Sequence, residues 1–366
     1  MTTLSAENHV VAELRGRVGC ITLNRPQALN ALSLGMIRTL TQALLDWRDD
    51  EQVLAVVVRG VNKDGPFGAF CAGGDIRFFH QAALSGNPEL EDFFTEEYAL
   101  NHLIHTYAKP YIALMDGIVM GGGMGISQGA SLRIVTERSK LAMPETGIGL
   151  FPDVGGGYFL SRCAGRLGEY LALTGVVLGG RDAMAAGLAD GFIDSGRLAG
   201  LWSSLAQTPF ENGASVERWC ASHLNTATTP GTWPVTEVDR IFSLPSVPEI
   251  VAALEATDSD WARSTLATLN KRSPMMLHVV LEHIRRARGM GLADDLRMER
   301  GLVRRCFQLR PGAASETVEG IRALAVDKDH QPRWNPARVE DVSLEQVSAF
   351  FESPWPDHAH PLRTLA

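Results

Sequence analysis

Cys71-Ala-Gly-Gly-Asp75 and, after the apolar run Tyr111–Met115, Gly121-Gly-Gly-Met-Gly125 are the stretches on which the reading of the fold turns. Each is a glycine run leading from extended chain toward a helix. Without a Cβ the main-chain N–H can approach a ligand closely. Amides at a helix N-terminus are donors with a favourable dipole. Taken singly, each run is a tight strand-to-helix turn, with Asp75 placed to cap the helix that follows. Two such turns in one β–α chain suggest a pair of amides that hold a developing oxyanion.

Outward from these runs, the amino-terminal half alternates strands and helices. His9 to Leu14 and Val18 to Asn24 read as a hairpin about Arg15-Gly16. Ser33 is a fitting N-cap for a helix with Met36, Ile37, Leu40, Leu44 and Trp47 on one face. Leu54 to Val58 is a continuous apolar run, as in a strand buried on both faces. Helices follow Asp75 and span about Leu90 to Tyr107, and Ser131 to Thr136 is again a strand. Beyond residue 197 the strands fade. Leu201 to Leu224 and Glu249 to Leu269 read as helices, and Leu277, Val280, Leu281 and Ile284 mark another. The tail beyond Pro332 reads as wrapped on the body. The order gives repeated β–α units, an α/β class.

The run Pro144-Glu145-Thr146 through Phe151-Pro-Asp-Val-Gly-Gly-Gly157 sets two carboxylates eight residues apart among apolar and glycine residues. Desolvation there raises a carboxyl's proton affinity and its basicity. Either acid alone reads equally well as a helix cap or a loop acid facing water. Glu97 falls on the apolar face of its helix with Leu90, Phe93, Phe94, Leu100 and Ile104. It is buried and paired, lines a cavity, or snorkels at the rim.

Other chemistries find less support. Gly-Lys-Ser/Thr and GxGxxG are missing from both glycine runs, so neither is a nucleotide motif. Gly125-Ile-Ser127-Gln-Gly129 spells the GxSxG nucleophile elbow, with His278 and His283 following. The triple glycine already makes the turn, which puts Ser127 a turn inside the helix. His102 and His105 lack a partner glutamate, and no metal is expected. The 366 residues are 45% hydrophobic and 21% charged, ordinary for a globular protein, with a net charge of −8 that argues against nucleic acid or anionic lipid. The five scattered cysteines (Cys20, Cys71, Cys163, Cys220, Cys306) fit reduced thiols. No signal peptide is visible at the start, and no apolar run reaches the roughly 18 residues of a membrane span. A cytoplasmic protein is expected.

Cys71-Ala-Gly-Gly-Asp75 with Gly121-Gly-Gly123 resembles the crotonase (enoyl-CoA hydratase/isomerase) superfamily. Its members bind acyl-CoA thioesters and stabilise an enolate or oxyanion with two backbone amides. The runs Glu96-Glu-Tyr98, Ala142 through Leu160 and Asp327-Lys-Asp with Pro332 and Trp334 resemble its branch that hydrolyses short 3-hydroxyacyl-CoA thioesters, 3-hydroxyisobutyryl-CoA of valine breakdown among them. The resemblance implies a spiral of ββα units. Residues 1–196 would form the CoA-binding core, and a mainly helical region, 197–366, would cover the acyl site. It implies an oxyanion hole from the N–H groups of Gly74 and Gly122, with Glu145 attacking the carbonyl or activating water. Asp153 and Glu97 would orient the 3-hydroxyl or the water, or hold a proton for the leaving group. CoA would lie on Arg25, Ala28, Ala72, Asp75 and Ile76. Hydratases of this superfamily carry a second glutamate where this chain has Gly125, which argues against hydration. The alternatives are a hydratase or isomerase on the same scaffold, and an acyl-CoA-binding homologue without turnover. No cofactor is implied beyond the CoA of the substrate. Relatives often form trimers, a contact the longer C-terminal region can block or replace, so the only macromolecular partner expected is a further copy of the chain.

Overall fold

A computed structural model describes residues 8–366. Residues 1–7, on which the expectation of no signal peptide rests, lie outside the described residues. The strands are β1 (Val10–Arg15), β2 (Val18–Leu23), β3 (Ala55–Gly60), β4 (Tyr111–Met115), β5 (Ile118–Met120), β6 (Leu132–Val135), β7 (Lys140–Ala142), β8 (Leu178–Gly179) and β9 (Gly191–Phe192). The first helices are α1 (Leu34–Arg48), α2 (Ile76–Ser85), α3 (Glu89–His105), α4 (Gly122–Gln128), α5 (Gly156–Leu160), α6 (Leu167–Thr174) and α7 (Gly180–Ala185). Then come α8 (Leu198–Ser204), α9 (Gly213–Ala221), α10 (Val235–Phe242), α11 (Val247–Glu255), α12 (Asp260–Leu269), α13 (Pro274–Ala287), α14 (Leu292–Gln308), α15 (Glu316–Ile321) and α16 (Leu344–Phe351).

One sheet has the order β1-β2-β3-β4-β6-β9, and a second the order β5-β7-β8. The β1–β2 hairpin is antiparallel with Arg15 opposite Val18, and β2, β3, β4, β6 and β9 pair in parallel. Successive turns place one strand in the large sheet and one in the small: β4, β5, α4, then β6, β7, α5. That alternation is the ββα spiral expected from the resemblance. β4 is buried along its whole length, as its unbroken apolar run requires. The Ser33 side chain accepts the Met36 N–H and starts α1 as predicted, with Ile37, Leu40, Leu44 and Trp47 inward.

Contacts divide the chain into two compact units. Among the described residues, the first comprises 8–74, Leu103–Leu141 and Leu178–Thr229; the second comprises Asp75–His102, Ala142–Val177 and Pro230–Ala366. In the first, Val18, Val57, Ile112 and Ile134 of the large sheet pack with Leu198, Leu201, Trp202, Val216 and Cys220. Helices α8 and α9 thus belong to the sheet's core, although they lie beyond residue 196. In the second, Phe79, Phe93, Phe94 and Phe307 stack edge to face or tilted at centroid separations of 4.7–5.8 Å, and fix the bearing of α3.

Two long helices expected from periodicity are each broken. The 201–224 stretch becomes α8 and α9, because Pro209 interrupts it and Asn212 opens α9 with a capping box to Ser215. The 249–269 stretch becomes α11 and α12, because Ser259 caps the Ala262 N–H and restarts the chain.

The glycine turns of the first unit are packed against each other. A Cβ on Gly123 would lie 2.3 Å from the Cys71 carbonyl oxygen, and Gly73 has φ +110°. Gly123→Ala is therefore expected to lower unfolding stability by about 3 kcal/mol, because backbone cannot step aside for a methyl group. Urea titration of the variant against the parent checks this.

Candidate active site

In the first unit, the turn at Gly73–Gly74 sits beside the start of α4. A Cβ built on Gly73 would lie 3.6 Å from the Gly122 nitrogen. Gly122 is the first residue of α4, after Gly121 at φ 48°. Among the described residues neither the Gly74 nor the Gly122 N–H has a backbone acceptor. The two amides named from sequence are thus neighbours with donors to spare. The Ala72 N–H, by contrast, donates to the Leu29 carbonyl at 3.0 Å, which docks the 25–31 segment there. Ala28 ends a single 3-10 turn from Pro26. The half-buried Arg25 donates to the Ala31 carbonyl at 3.0 Å and so stiffens its own loop.

Ser127 is fully buried, and its hydroxyl donates to the Gly123 carbonyl at 2.7 Å, inside α4. It is no elbow nucleophile. No residue of α4 is acidic, and Gly125 stands buried at the position discussed above.

In the second unit, Asp75 caps α2 by accepting the Phe78 N–H, as expected, and half-buried Ile76 follows it. The three candidate acids converge in this unit. Glu97 on α3 is 2% exposed, Glu145 opens the 3-10 turn Glu145–Ile148 at 6%, and Asp153 precedes α5 at 5%. All three are inward, so the solvent-facing readings fall away. The Tyr98 hydroxyl donates to Asp153 Oδ2 at 2.8 Å. Glu97 Oε1, Glu145 Oε2 and both amide atoms of Asn101 are buried without a protein partner. Such atoms in a native site invite a polar ligand.

Burial, and then the charges of Asp153 and Glu145, push the Glu97 carboxyl well above the usual range. Burial and Asp153 do the same to Glu145, against a weaker pull from Arg272. Asp153 is pushed up by burial only to about 6, because the Tyr98 hydrogen bond and the charge of His283 favour its carboxylate. Carboxyls this close cannot all ionise. The cluster therefore offers a base and a proton donor side by side near neutral pH.

Two loops carry these acids, and C-terminal helices hold both. The 145–149 turn accepts the Ser273 N–H at Thr146 and the Thr317 hydroxyl at Gly149 (2.6 Å). The 153–157 loop passes through Val154 at φ 57° and Gly155 at φ 85°. Its Gly155 and Gly157 N–H groups donate to Glu299 at 2.7 and 3.0 Å, and the Tyr158 N–H donates to Asp295 at 2.7 Å. His283 Nε2 lies 3.3 Å from Glu299 and 3.5 Å from Asp295, all three side chains fully buried. This cluster was missed from sequence. Its signal was present: Asp295 and Glu299 share a helical face with Leu296 and Leu302, as Glu97 shares one with Phe93 and Phe94. The spacing resembles that of a metal site, but three of the four carboxylate oxygens already accept backbone N–H bonds. Among the described residues, both ring nitrogens of His283 and Asp295 Oδ1 have no hydrogen-bond partner, so the cluster reads as a buried ion group held by those backbone bonds.

Residues 18–351 match the family model described as enoyl-CoA hydratase/isomerase. The chain is 41% identical to a 3-hydroxyisobutyryl-CoA hydrolase, mitochondrial, of Danio rerio, over 96% of this chain and 92% of that one. It is 40% identical to the protein of the same name from Homo sapiens, over 95% and 89%. Among solved structures it is similar to a carnitinyl-CoA dehydratase from Mycobacterium thermoresistibile (TM-score 0.85, 36% identity, 96% of this chain and 98% of that one). It is also similar to an enoyl-CoA hydratase from Rhodobacter sphaeroides 2.4.1 (TM-score 0.83, 36% identity, 94% and 98%).

Proposed function

The chain belongs to the enoyl-CoA hydratase/isomerase family, and from that premise we propose that it hydrolyses 3-hydroxyisobutyryl-CoA to 3-hydroxyisobutyrate and CoA, a step of valine catabolism. It is an acyl-CoA thioester hydrolase. The observation that carries this reading is the buried trio Glu97, Glu145 and Asp153, combined with an α4 that has no acid. The names of the curated relatives agree with it. The two solved structures carry dehydratase and hydratase titles, which keeps a hydratase as the second reading.

In the proposed reaction the N–H groups of Gly74 and Gly122 form the oxyanion hole and accept the charge that grows on the thioester oxygen. Glu145 acts in its ionised form: with one unpartnered oxygen it attacks the carbonyl carbon, giving an anhydride that water then hydrolyses to return the carboxylate, or it draws a proton from a water that attacks in its place. The C–S bond breaks, and the CoA sulfur takes a proton from the cluster. Asp153, whose carboxyl is raised only to about 6, accepts from the substrate's 3-hydroxyl or from water. Glu97, held protonated by burial, donates. CoA is bound along Arg25, Ala28, Ala72, Asp75 and Ile76. It enters as substrate, with no separate cofactor. Two further proposals are a cytoplasmic location, with five buried cysteines, none in a disulfide among the described residues, that suit a reducing compartment, and assembly into a homo-oligomer. The curated relatives are named mitochondrial. Among the described residues no helix is long and apolar enough to cross a membrane.

Three substrates test the reaction. 3-Hydroxyisobutyryl-CoA should release free thiol. Isobutyryl-CoA, which lacks the hydroxyl, should react at least ~10²-fold more slowly, since a site built to bind that hydroxyl is left with unpaired acids. Crotonyl-CoA should keep its conjugated double bond. Loss of that conjugation without thiol release would establish the hydratase reading instead.

A further inference from the structure

We propose that His283, Asp295 and Glu299 are positioning residues for this reaction: they clamp the loop bearing Asp153 in its left-handed conformation and place a fixed positive charge behind that acid. The inference rests on the hydrolase reading. It is carried by the geometry of the loop. Val154 is β-branched, yet sits at φ 57°, and Gly155 follows at φ 85°. A β-branched residue there is strained and persists only where its surroundings over-determine it. Here the restraint is Glu299, whose two oxygens take the Gly155 and Gly157 N–H groups, with Asp295 taking the next. Gly157 permits the close approach, for a Cβ there would lie 2.4 Å from both Asp295 Oδ1 and His283 Nε2.

Two carboxylates buried together need a counter-charge. His283 supplies it, on α13, with the Phe151 ring edge-on at 5.3 Å. Burial pulls its imidazole down, but the adjacent carboxylates of Asp295 and Glu299 outweigh that and raise it to about 9. The ring is therefore an imidazolium at neutral pH. Its charge favours the Asp153 carboxylate. The other titratable groups that act with Asp153 are Tyr98 and Glu97 from α3, Glu145 from the 3-10 turn and Cys306 from α14.

Opposite charge changes separate this role from a merely structural one. His283→Gln removes a positive charge, so the activity titration near pH 6 should move up by about one unit. Asp295→Asn removes a negative charge, so the same step should move down. In each variant kcat should fall about tenfold with KM within about twofold, because loop placement rather than substrate affinity is disturbed. Initial rates of thiol release from 3-hydroxyisobutyryl-CoA between pH 5 and 9, on full-length protein, read this directly. Carbon-13 NMR of the Asp153 carboxyl, assigned with Asp153→Asn, follows the same shift without turnover. Shifts of equal sign, or none, with activity lost only in proportion to folded protein, would overturn the proposal. If His283→Gln does not fold, the direction found in Asp295→Asn decides. A parent enzyme that titrates as described at Asp153 yet releases no thiol would instead count against the hydrolase reading.

Discussion

Glu145→Gln is expected to reduce thiol release from 3-hydroxyisobutyryl-CoA by ~10³-fold or more while leaving the fold intact. The amide keeps the volume of a side chain that is 6% exposed and removes both things the reaction asks of it, a nucleophilic oxygen and a proton acceptor. Whether the carboxylate attacks carbon or activates water, the variant loses the step. The effect should fall on kcat, with KM close to the parent value, because binding of the CoA portion does not pass through this group. The Glu145 carboxyl is held well above its ordinary range by burial and by Asp153, so the amide also removes an electrostatic cost. Steady-state kinetics and a melting curve on the same preparation separate the outcomes. A variant that retains more than a tenth of parental kcat would exclude Glu145 from the chemistry.

The parts of this molecule that were legible in the sequence are those set by local pattern. The hairpin, the Ser33 cap, the buried β3 and the glycine turn into α4 each announce themselves within a few residues. Glu97 was legible for the same reason, as an acid on an apolar helical stripe. Two helices were overextended because apolar spacing continues across Pro209 and across Ser259, and the caps that restart the chain weigh less than periodicity in a short window. The support of the 153–157 loop was not legible as such. Glu299 lies well over a hundred residues from the amides it binds, and only the folded second unit brings them together. The Tyr98 hydroxyl at Asp153 is a second long-range partner of this kind. Local pattern thus reveals that an acid is buried, whereas its proton affinity depends on neighbours that the fold supplies.

Asp153→Asn should lower kcat by ~10²-fold or more and at the same time make the protein harder to unfold at pH 7–8. The sign follows from linkage. Burial raises the Asp153 carboxyl from 3.8 to about 6 in the folded chain. An acid raised on folding binds its proton more tightly in the native state, so stability falls as pH rises from about 4 to about 6 and stays reduced above. The shift corresponds to about 3 kcal/mol, of which the asparagine returns only part. Its carbonyl can still accept the Tyr98 hydroxyl, but its buried amide group lacks the acceptors a donor needs, at a cost of ~1–2 kcal/mol. A net gain of about 1–2 kcal/mol remains, enough to raise the melting temperature by a few degrees in a protein of this size. The gain should disappear by about pH 5 and become a loss near pH 4, where the folded aspartate is protonated and only about half of the unfolded ones are ionised. Melting curves from pH 4 to 8 test the whole chain of reasoning. A variant that is less stable than the parent at pH 8 and equally so at pH 4 would show that Asp153 carries no stored electrostatic cost, and the division of the three acids into base and proton donor would fall with it.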